Sequence, residues 1–167
     1  MPTTNMRCST APSCGRISTA PALSKKHHDQ AIGRSRGGLS TKIHALVDAL
    51  GNPLAFRLTA GQTHDLVGAD ALLPQMAADR LIADKAYDAD ARVLEPLAGA
   101  GKTAVIPPRP NRLAPRNFDR DLYKERHLIE NFFCKLKQFR AIATRYDKTA
   151  QNVLAAIHLA AAIIWLN

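Results

Sequence analysis

The stretch YKERHLIENFFCKLKQFR (residues 123–140) has the clearest structural pattern in the chain and indicates where its core lies. At about 100° per residue on a helix, six large apolar side chains fall on one side: Leu128, Ile129, Phe132, Phe133, Leu136 and Phe139. The opposite side holds four polar residues within an arc of roughly 60°: Tyr123, Arg126, Glu130 and Lys137. The pattern predicts one amphipathic helix whose apolar face packs on a core.

Glu130 lies in the middle of this basic side, one helical turn from Arg126. Residues four apart on a helix are close enough to pair, so one interpretation is a salt bridge on a solvated face. The other is a carboxylate held in place to bind a divalent cation next to a phosphate. The helix alone does not decide between the two.

The overall charge points to a polyanionic partner. The 167 residues carry 23 Lys and Arg against 14 Asp and Glu, a formal net charge of +9. This excess favours nucleic acid first and an anionic membrane surface second. The length is that of one domain with a sizeable core, or one domain plus a tail.

Three cysteines form no even disulfide framework, which favours a reducing, cytoplasmic setting. A zinc site built from four residues near the N-terminus has a spacing that matches no standard finger: Cys8, Cys14, His27 and His28. The apolar residues 153–166 are interrupted by His158 and too short to span a bilayer comfortably, so they are predicted to form a buried helix. No membrane partner is expected.

The order of elements predicts an α/β domain with a mixed sheet over residues 31–167. Residues 1–30 are rich in Ser, Thr, Pro and Ala, and are predicted to be disordered. Alternating apolar residues over 39–59, around a Gly-Asn-Pro turn, predict a β-hairpin. The further predicted elements are a helix over 66–73 that Asp65 caps and Pro74 stops, a strand at 81–83, a helix at 90–98, a strand at 103–106, a basic loop, and the two C-terminal helices.

Asp84 stands where the apolar strand at 81–83 ends, the sheet edge at which α/β proteins place ligands. Taken alone it could equally be an Asp in a turn before Lys85. Together with Glu130 it supplies oxygen ligands of the kind that Mg²⁺ prefers. A pair of such ions can activate an attacking oxygen and stabilise a leaving one.

These residues resemble a known family. Tyr123-x2-Arg126-x3-Glu130-x6-Lys137 resembles the Tyr-Arg-Glu-Lys signature of bacterial insertion-sequence transposases of the DDE class. LIADKAYD (residues 81–88) is similar to the segment around that family's second catalytic Asp, and GRSRGGLSTKIHALVDALGNPLAFRLTAGQTHD is also similar to family sequence. The resemblance covers residues 30–167.

The resemblance implies a ribonuclease-H-like mixed sheet flanked by helices, and DNA strand cleavage and transfer with Mg²⁺ or Mn²⁺. It implies that Asp84 and Glu130 are the catalytic metal ligands. Tyr123, Arg126 and Lys137 would contact the transposon end or steady Glu130. The expected partners are DNA at transposon ends and at the target. In the basic loop, we also expect Arg109 and Arg112 to contact DNA.

The family uses three acidic ligands, the first on a central strand just before the hairpin. No such strand is predicted here. Asp29 lies in a polar tract and Asp48 ends a hairpin strand in a turn, so neither has the buried-strand setting. We therefore expect a sheet without its first, central strand, exposed strand edges and poor solubility. The chain would be inactive alone, or would need a second transposase chain to supply the missing Asp.

An out-of-frame N-terminus would account for this departure. Residues 9–19 can be back-translated so that a shifted frame gives Asp-Ser-Thr-Ile-Val-Arg-Ala-His-Gln, which resembles the family's first-Asp strand. The hypothesis is that the frame is restored near Ser24, and the codons of the gene test it.

Two other functions are compatible with the sequence. A DNA-binding module or repressor at transposon ends would keep the basic face without needing metal, and a ribonuclease-H-like nuclease would only hydrolyse. Metal-dependent nicking separates the module from the two enzymes, and strand transfer separates the transposase from the nuclease.

Overall fold

Six strands and six helices make up the part of the chain that the computed structural model describes, which is residues 3–12, 30–35, 38–114, 116–147 and 149–166. The strands are β1 (Thr3–Pro12), β2 (Gly33–Ser35), β3 (Gly38–Val47), β4 (Pro53–Ala60), β5 (Arg80–Ala83) and β6 (Thr103–Val105). The helices are α1 (Leu66–Leu72), α2 (Glu95–Gly99), α3 (Arg120–Tyr123), α4 (His127–Gln138), α5 (Arg140–Ala143) and α6 (Ala150–Leu166). The predicted hairpin, β5 and β6 are confirmed.

One mixed sheet contains all six strands, in the order β4, β3, β1, β5, β6, while β2 pairs with the first residues of β3. The strand β1 runs antiparallel to β3 and parallel to β5. It therefore lies between the hairpin and the strand that ends at Asp84. The register of β1 with both neighbours therefore fixes the position of the hairpin along the strand direction relative to the end of β5.

The prediction that the central position would be vacant is wrong, because β1 fills it. Its residues pair with β3 from Asn5 to Pro12 and with β5 from Thr3 to Met6. A strand between two neighbours can pair its backbone N–H and C=O groups on both sides, which favours a strand here although the sequence is largely polar. Met6 is fully buried, and the buried Thr3 and Thr4 are β-branched residues that favour strands.

The predicted disordered or out-of-frame segment, residues 1–30, is thus a strand over Thr3–Pro12. Residues 13–29, including the junction near Ser24, lie outside the described residues. The reading-frame hypothesis stays a prediction.

Two apolar cores cover the two faces of the sheet. On one face, β3 and β4 pack against α4, α5 and α6, with Ile43, Phe132 and Ile157 among the buried residues. On the other face, α1, α2 and the turns beside them pack against Met6 and Leu81. The result is a helix–sheet–helix arrangement that leaves the carboxyl end of β5 open to solvent at its edge.

The predicted helix over residues 123–140 is divided into three parts. A 3₁₀ turn at Lys124–Arg126 joins α3 to α4, and the extended backbone of Phe139 ends α4. The apolar face is confirmed, since Ile129, Phe132, Phe133 and Leu136 are buried. The division places Arg126 in the turn before α4 rather than on the same regular helix.

The C-terminal helix α6 is half buried, which corrects the prediction of a buried helix. Val153, Ile157, Ala160 and Ala161 face the core, whereas exposed apolar side chains lie on its other side, namely Leu159, Trp165 and Leu166. Within the described ranges, no helix is both long and apolar enough to cross a membrane.

Candidate functional site

The strand-end carboxylate and the helix carboxylate meet on one side of the sheet. Asp84 follows β5 directly, and Glu130 lies in the first turn of α4. The Nη1 atom of Arg126 is 2.9 Å from Glu130 Oε1 and 3.9 Å from Asp84 Oδ2. Because one nitrogen contacts both, the two carboxylates are neighbours in space although they are far apart in the chain.

The remaining signature residues extend from this point along the helical segment. The guanidinium of Arg126 lies over the Tyr123 ring, 5.4 Å from its centroid, in a cation–π contact. Lys137 is exposed and lies two turns further along α4, on the same line as Glu130. Tyr123 and Arg126 are therefore assembled with the two acids, and Lys137 extends the basic side away from them.

A divalent cation fits part of this arrangement. Both acids are hard oxygen ligands, and their side chains are 35% and 34% exposed, so an ion can reach them from solvent. Among the described residues, no three His, Cys, Asp or Glu side chains cluster as a metal site would require. The pair would supply two protein ligands to such an ion and would leave the third to another source.

Asp48 is not that third ligand. Its carboxylate accepts hydrogen bonds from the backbone N–H groups of Leu50 and Asn52 at 2.8 and 2.9 Å, which closes the hairpin turn. It follows Val47, which pairs with Asn5, so it lies toward the opposite end of the sheet from Asp84. Asp29 lies outside the described residues.

The register of β1 identifies the backbone position level with Asp84. Met6 is paired with Ala83, so the next residue along each parallel strand, Arg7 and Asp84, falls at the same height. Met6 belongs to the core under α1 and α2. Since strand residues alternate, position 7 belongs to the other face, which α4 covers. An acidic residue at position 7 would stand beside the Asp84–Glu130 pair.

A second acidic centre organises the basic loop that follows β6. Asp88 is buried, and its carboxylate accepts from the backbone N–H of Arg109 at 2.8 Å and from Arg112 Nη1 at 2.7 Å. Arg116 Nη2 is 3.6 Å away. The guanidinium of Arg112 also pairs with Asp90, and these hydrogen bonds, to Asp90 first and then to Asp88, raise the pKa of Arg112.

Arg112 and Arg109, both predicted to contact DNA, are held differently. Arg112 spans two carboxylates, which gives it a structural role in anchoring the loop. The guanidinium of Arg109 donates to the backbone carbonyls of Lys85 and Ala86 at 3.3 and 2.8 Å and is exposed. Asp88 lies in the stretch LIADKAYD but was not among the residues predicted from the sequence, because an Asp after a strand has no pattern that marks it as buried.

A buried histidine lies on β3, on the α1 side of the sheet. His44 is fully buried, and its Nε2 is 2.8 Å from Thr59 Oγ1. The helix passes so close that a Cβ at Gly68 would lie 2.2 Å from His44 Nδ1, so glycine is required there. Burial lowers the pKa of His44 from 6.5 to about 4. The histidine is neutral at pH 7 and serves the packing of α1.

Comparison with known proteins gives the class. The family model described as "Transposase DDE domain" matches residues 10–165, which is most of the chain. The chain belongs to this family.

A particular relative agrees. A protein of Brucella ovis named "Putative transposase for insertion sequence element IS6501" is 43% identical over 130 residues. The alignment covers 77% of this chain and the whole of that protein. The resemblance to bacterial insertion-sequence transposases is thereby confirmed.

Proposed function

We propose that this chain is a transposase catalytic domain that cuts and joins DNA ends at a site built from Asp84 and Glu130. The observation that carries the proposal is the contact of one guanidinium, that of Arg126, with both carboxylates. Sequence position and the family resemblance point to the same two acids independently of this contact. Family membership supports DNA as the substrate, and the two alternative functions gain no support from the comparisons.

The sheet order supports a ribonuclease-H-like assignment. The hairpin lies on one side of β1 and the Asp84 strand on the other, as that fold requires. The substrate is DNA at transposon ends and at a target, and the place of action is the cytoplasm, where bacterial DNA lies.

Mg²⁺ or Mn²⁺ would be held by the Asp84 and Glu130 carboxylates, and such ions activate the attacking oxygen and stabilise the leaving one. Arg126 holds Glu130 in place through a contact of 2.9 Å. The same guanidinium, together with Lys137, provides positive charge for a phosphate of the DNA.

Activity in the isolated chain is expected to be weak because β1 carries no acid. Its sequence is TTNMRCSTAP, and Arg7 stands at the position level with Asp84. A two-carboxylate site binds a divalent cation less tightly than a three-carboxylate site. We propose that full activity requires an acid from elsewhere, either from the strand that a corrected reading frame would encode or from a second chain.

The test is Mn²⁺ binding by the full chain, followed by nicking of supercoiled plasmid. Asp84→Asn and Glu130→Gln keep the side-chain shape and remove the charge, so Mn²⁺ affinity should fall about tenfold or more for each. The matched control is Glu95→Gln, which replaces an exposed carboxylate on α2 by an amide and should leave the Mn²⁺ affinity unchanged.

If each substitution lowers the Mn²⁺ affinity, and the parent chain binds Mn²⁺ but does not nick plasmid, the result fits the two-ligand site. Mn²⁺ binding that is indifferent to both substitutions rejects the site. Salt-sensitive DNA binding with no Mn²⁺ binding at all would instead favour the non-catalytic module, and nicking without strand transfer would favour the nuclease.

A further inference from the structure

A cleft of about 560 Å³ opens directly beside Asp84. The loop after β4 forms one wall, with Gln62, Thr63 and His64, and the Asp84–Ala86 segment and the loop after β6 form the other. Asp84, the proposed metal ligand at the reacting phosphate, lies at one end of this cleft. Its lining carries three cationic side chains: Lys42, Lys85 and Arg109.

The first wall is fixed by a half-buried ion pair. Lys42 Nζ donates to Thr63 O and to Asp65 Oδ1, both at 2.7 Å. Asp65 was predicted to cap α1, but it makes no side-chain cap hydrogen bond and pairs with Lys42 instead. The charge of Lys42 is thus neutralised within the wall, and its function is to hold the turn that carries His64.

His64 presents a neutral donor in this wall. Its Nδ1 accepts the backbone N–H of Leu66 at 3.2 Å. When Nδ1 is an acceptor, the ring hydrogen of the neutral imidazole resides on Nε2. The exposed ring therefore has an N–H that can donate to an anionic oxygen.

The second wall carries net positive charge. Within the described residues, the guanidinium of Arg109 donates to two backbone carbonyls and not to a carboxylate, so its charge is uncompensated. Lys85 beside it is exposed. The backbone N–H of Arg109 is tied to the buried carboxylate of Asp88, which fixes the place of the loop.

We propose that this cleft binds the sugar–phosphate backbone of the DNA strand next to the reacting phosphodiester, with Arg109 and Lys85 on phosphates and His64 as a neutral donor. Asp88 is the positioning residue that holds Arg109 in the wall. The proposal rests on the proposed function, because a strand whose phosphate lies at Asp84 must continue through a neighbouring channel. The cations and the hydrogen-bond donor of this cleft match the anionic backbone of such a strand.

The test measures binding of a fluorescent duplex oligonucleotide to the full chain in EDTA, over a series of salt concentrations at pH 8. Arg109→Ala should lower the affinity about fivefold to tenfold at 0.1 M salt and reduce the log–log salt slope by about 1, since one phosphate contact is lost. Lys135→Ala is the matched control, because Lys135 is an exposed cation on the far side of α4 that lines a different groove. It should change neither quantity.

His64→Ala should lower the affinity about threefold while the salt slope stays the same, because a neutral donor releases no counterion. This difference between two variants of one cleft separates a hydrogen bond from a charge. A slope change in His64→Ala at pH 8 would contradict the neutral role.

Asp88 is tested by a double-mutant cycle. Asp88→Asn should weaken DNA binding and reduce the slope in the parent, but should add almost nothing in the Arg109→Ala background. A merely destabilising change would weaken both backgrounds equally. If Asp88→Asn does not fold, Arg112→Gln, which removes one of the loop's ties to Asp88, replaces it in the same cycle.

Equal effects of Arg109→Ala and Lys135→Ala on DNA affinity would contradict the proposal that DNA binds in the cleft. They would indicate diffuse electrostatic binding instead. Because these measurements contain no metal, they do not depend on Asp84 and Glu130 as ligands. Failure of the metal site appears instead in the Mn²⁺ titration, so the two proposals fail separately.

Discussion

Two arginines among the described residues each contact two carboxylates, and the two clusters differ in how completely they are closed. Arg112 joins Asp88 to Asp90, and the Asp88 side chain is 1% exposed and receives a further backbone hydrogen bond from Arg109. Arg126 joins Asp84 to Glu130, both acids are about one-third exposed, and one contact is as long as 3.9 Å.

The comparison shows why the same residue types serve different purposes. A carboxylate that is buried and fully bonded cannot accept another ligand without breaking the loop that it holds. A carboxylate that is exposed and loosely paired can exchange its guanidinium partner for a metal ion. The closed cluster around Asp88 is structural, and the open cluster around Arg126 is the one suited to chemistry.

The largest expected difference is in stability. Asp88→Ala leaves Arg112 and Arg116 without their shared buried partner and should cost about 3–5 kcal/mol of unfolding free energy. Asp84→Ala should cost less than about 1 kcal/mol, since its pair is long and solvated. Urea unfolding of both variants checks this, and equal losses would erase the distinction between the clusters.

The pH dependence of stability contains a contribution from His44, which must be separated from that of the two carboxylate clusters. The folded-state pKa of His44 is lowered, so above pH 6.5 the imidazole is neutral in both states and stability is unaffected by it. As the pH falls from 6.5 to about 4 the unfolded state takes up the proton first, and stability drops by up to about 3 kcal/mol. His44→Gln should lose this component, while His127→Gln, at an exposed site, should keep it. A parent whose stability is flat over this window would contradict the prediction.

The open cluster should accept a third acid. Arg7→Asp places a carboxylate level with Asp84 on the face that α4 covers, and Mn²⁺ affinity should rise about tenfold or more, or about 1.4 kcal/mol. Isothermal titration with the parent and with Thr103→Asp, at the exposed start of β6, provides the comparison. An equal gain in both variants would show a general charge effect and not a site.

The smallest expected effect concerns Arg126 itself. Arg126→Gln removes a cation from between the two acids, so Mn²⁺ should bind about threefold tighter, while DNA should bind more weakly for lack of a phosphate contact. Tighter Mn²⁺ binding together with weaker DNA binding in this variant would show that the metal ion and the DNA phosphate occupy neighbouring positions at Arg126. Weaker binding of both ligands would mean that Arg126 acts only by holding Glu130.

The elements with strong periodicity are predictable from the amino-acid sequence alone. The hairpin alternation, the apolar run before Asp84 and the apolar stripe of α4 each predicted an element that the structure contains. The pair Asp84 and Glu130 also came from the sequence, because strand-end position and helical spacing are local properties. Resemblance to the family was sufficient to name both residues.

The central strand and the roles of the loop arginines are not predictable in this way, because they depend on partners distant in the chain. β1 has a polar sequence with one large apolar side chain, Met6, among those described, and it is a strand because β3 and β5 both offer it a ladder. The local sequence around the loop arginines does not indicate which one pairs with buried carboxylates and which one is exposed to a ligand. The buried Asp88 gives Arg112 a structural place and leaves Arg109 facing the cleft, since burial and pairing arise only when the chain has folded.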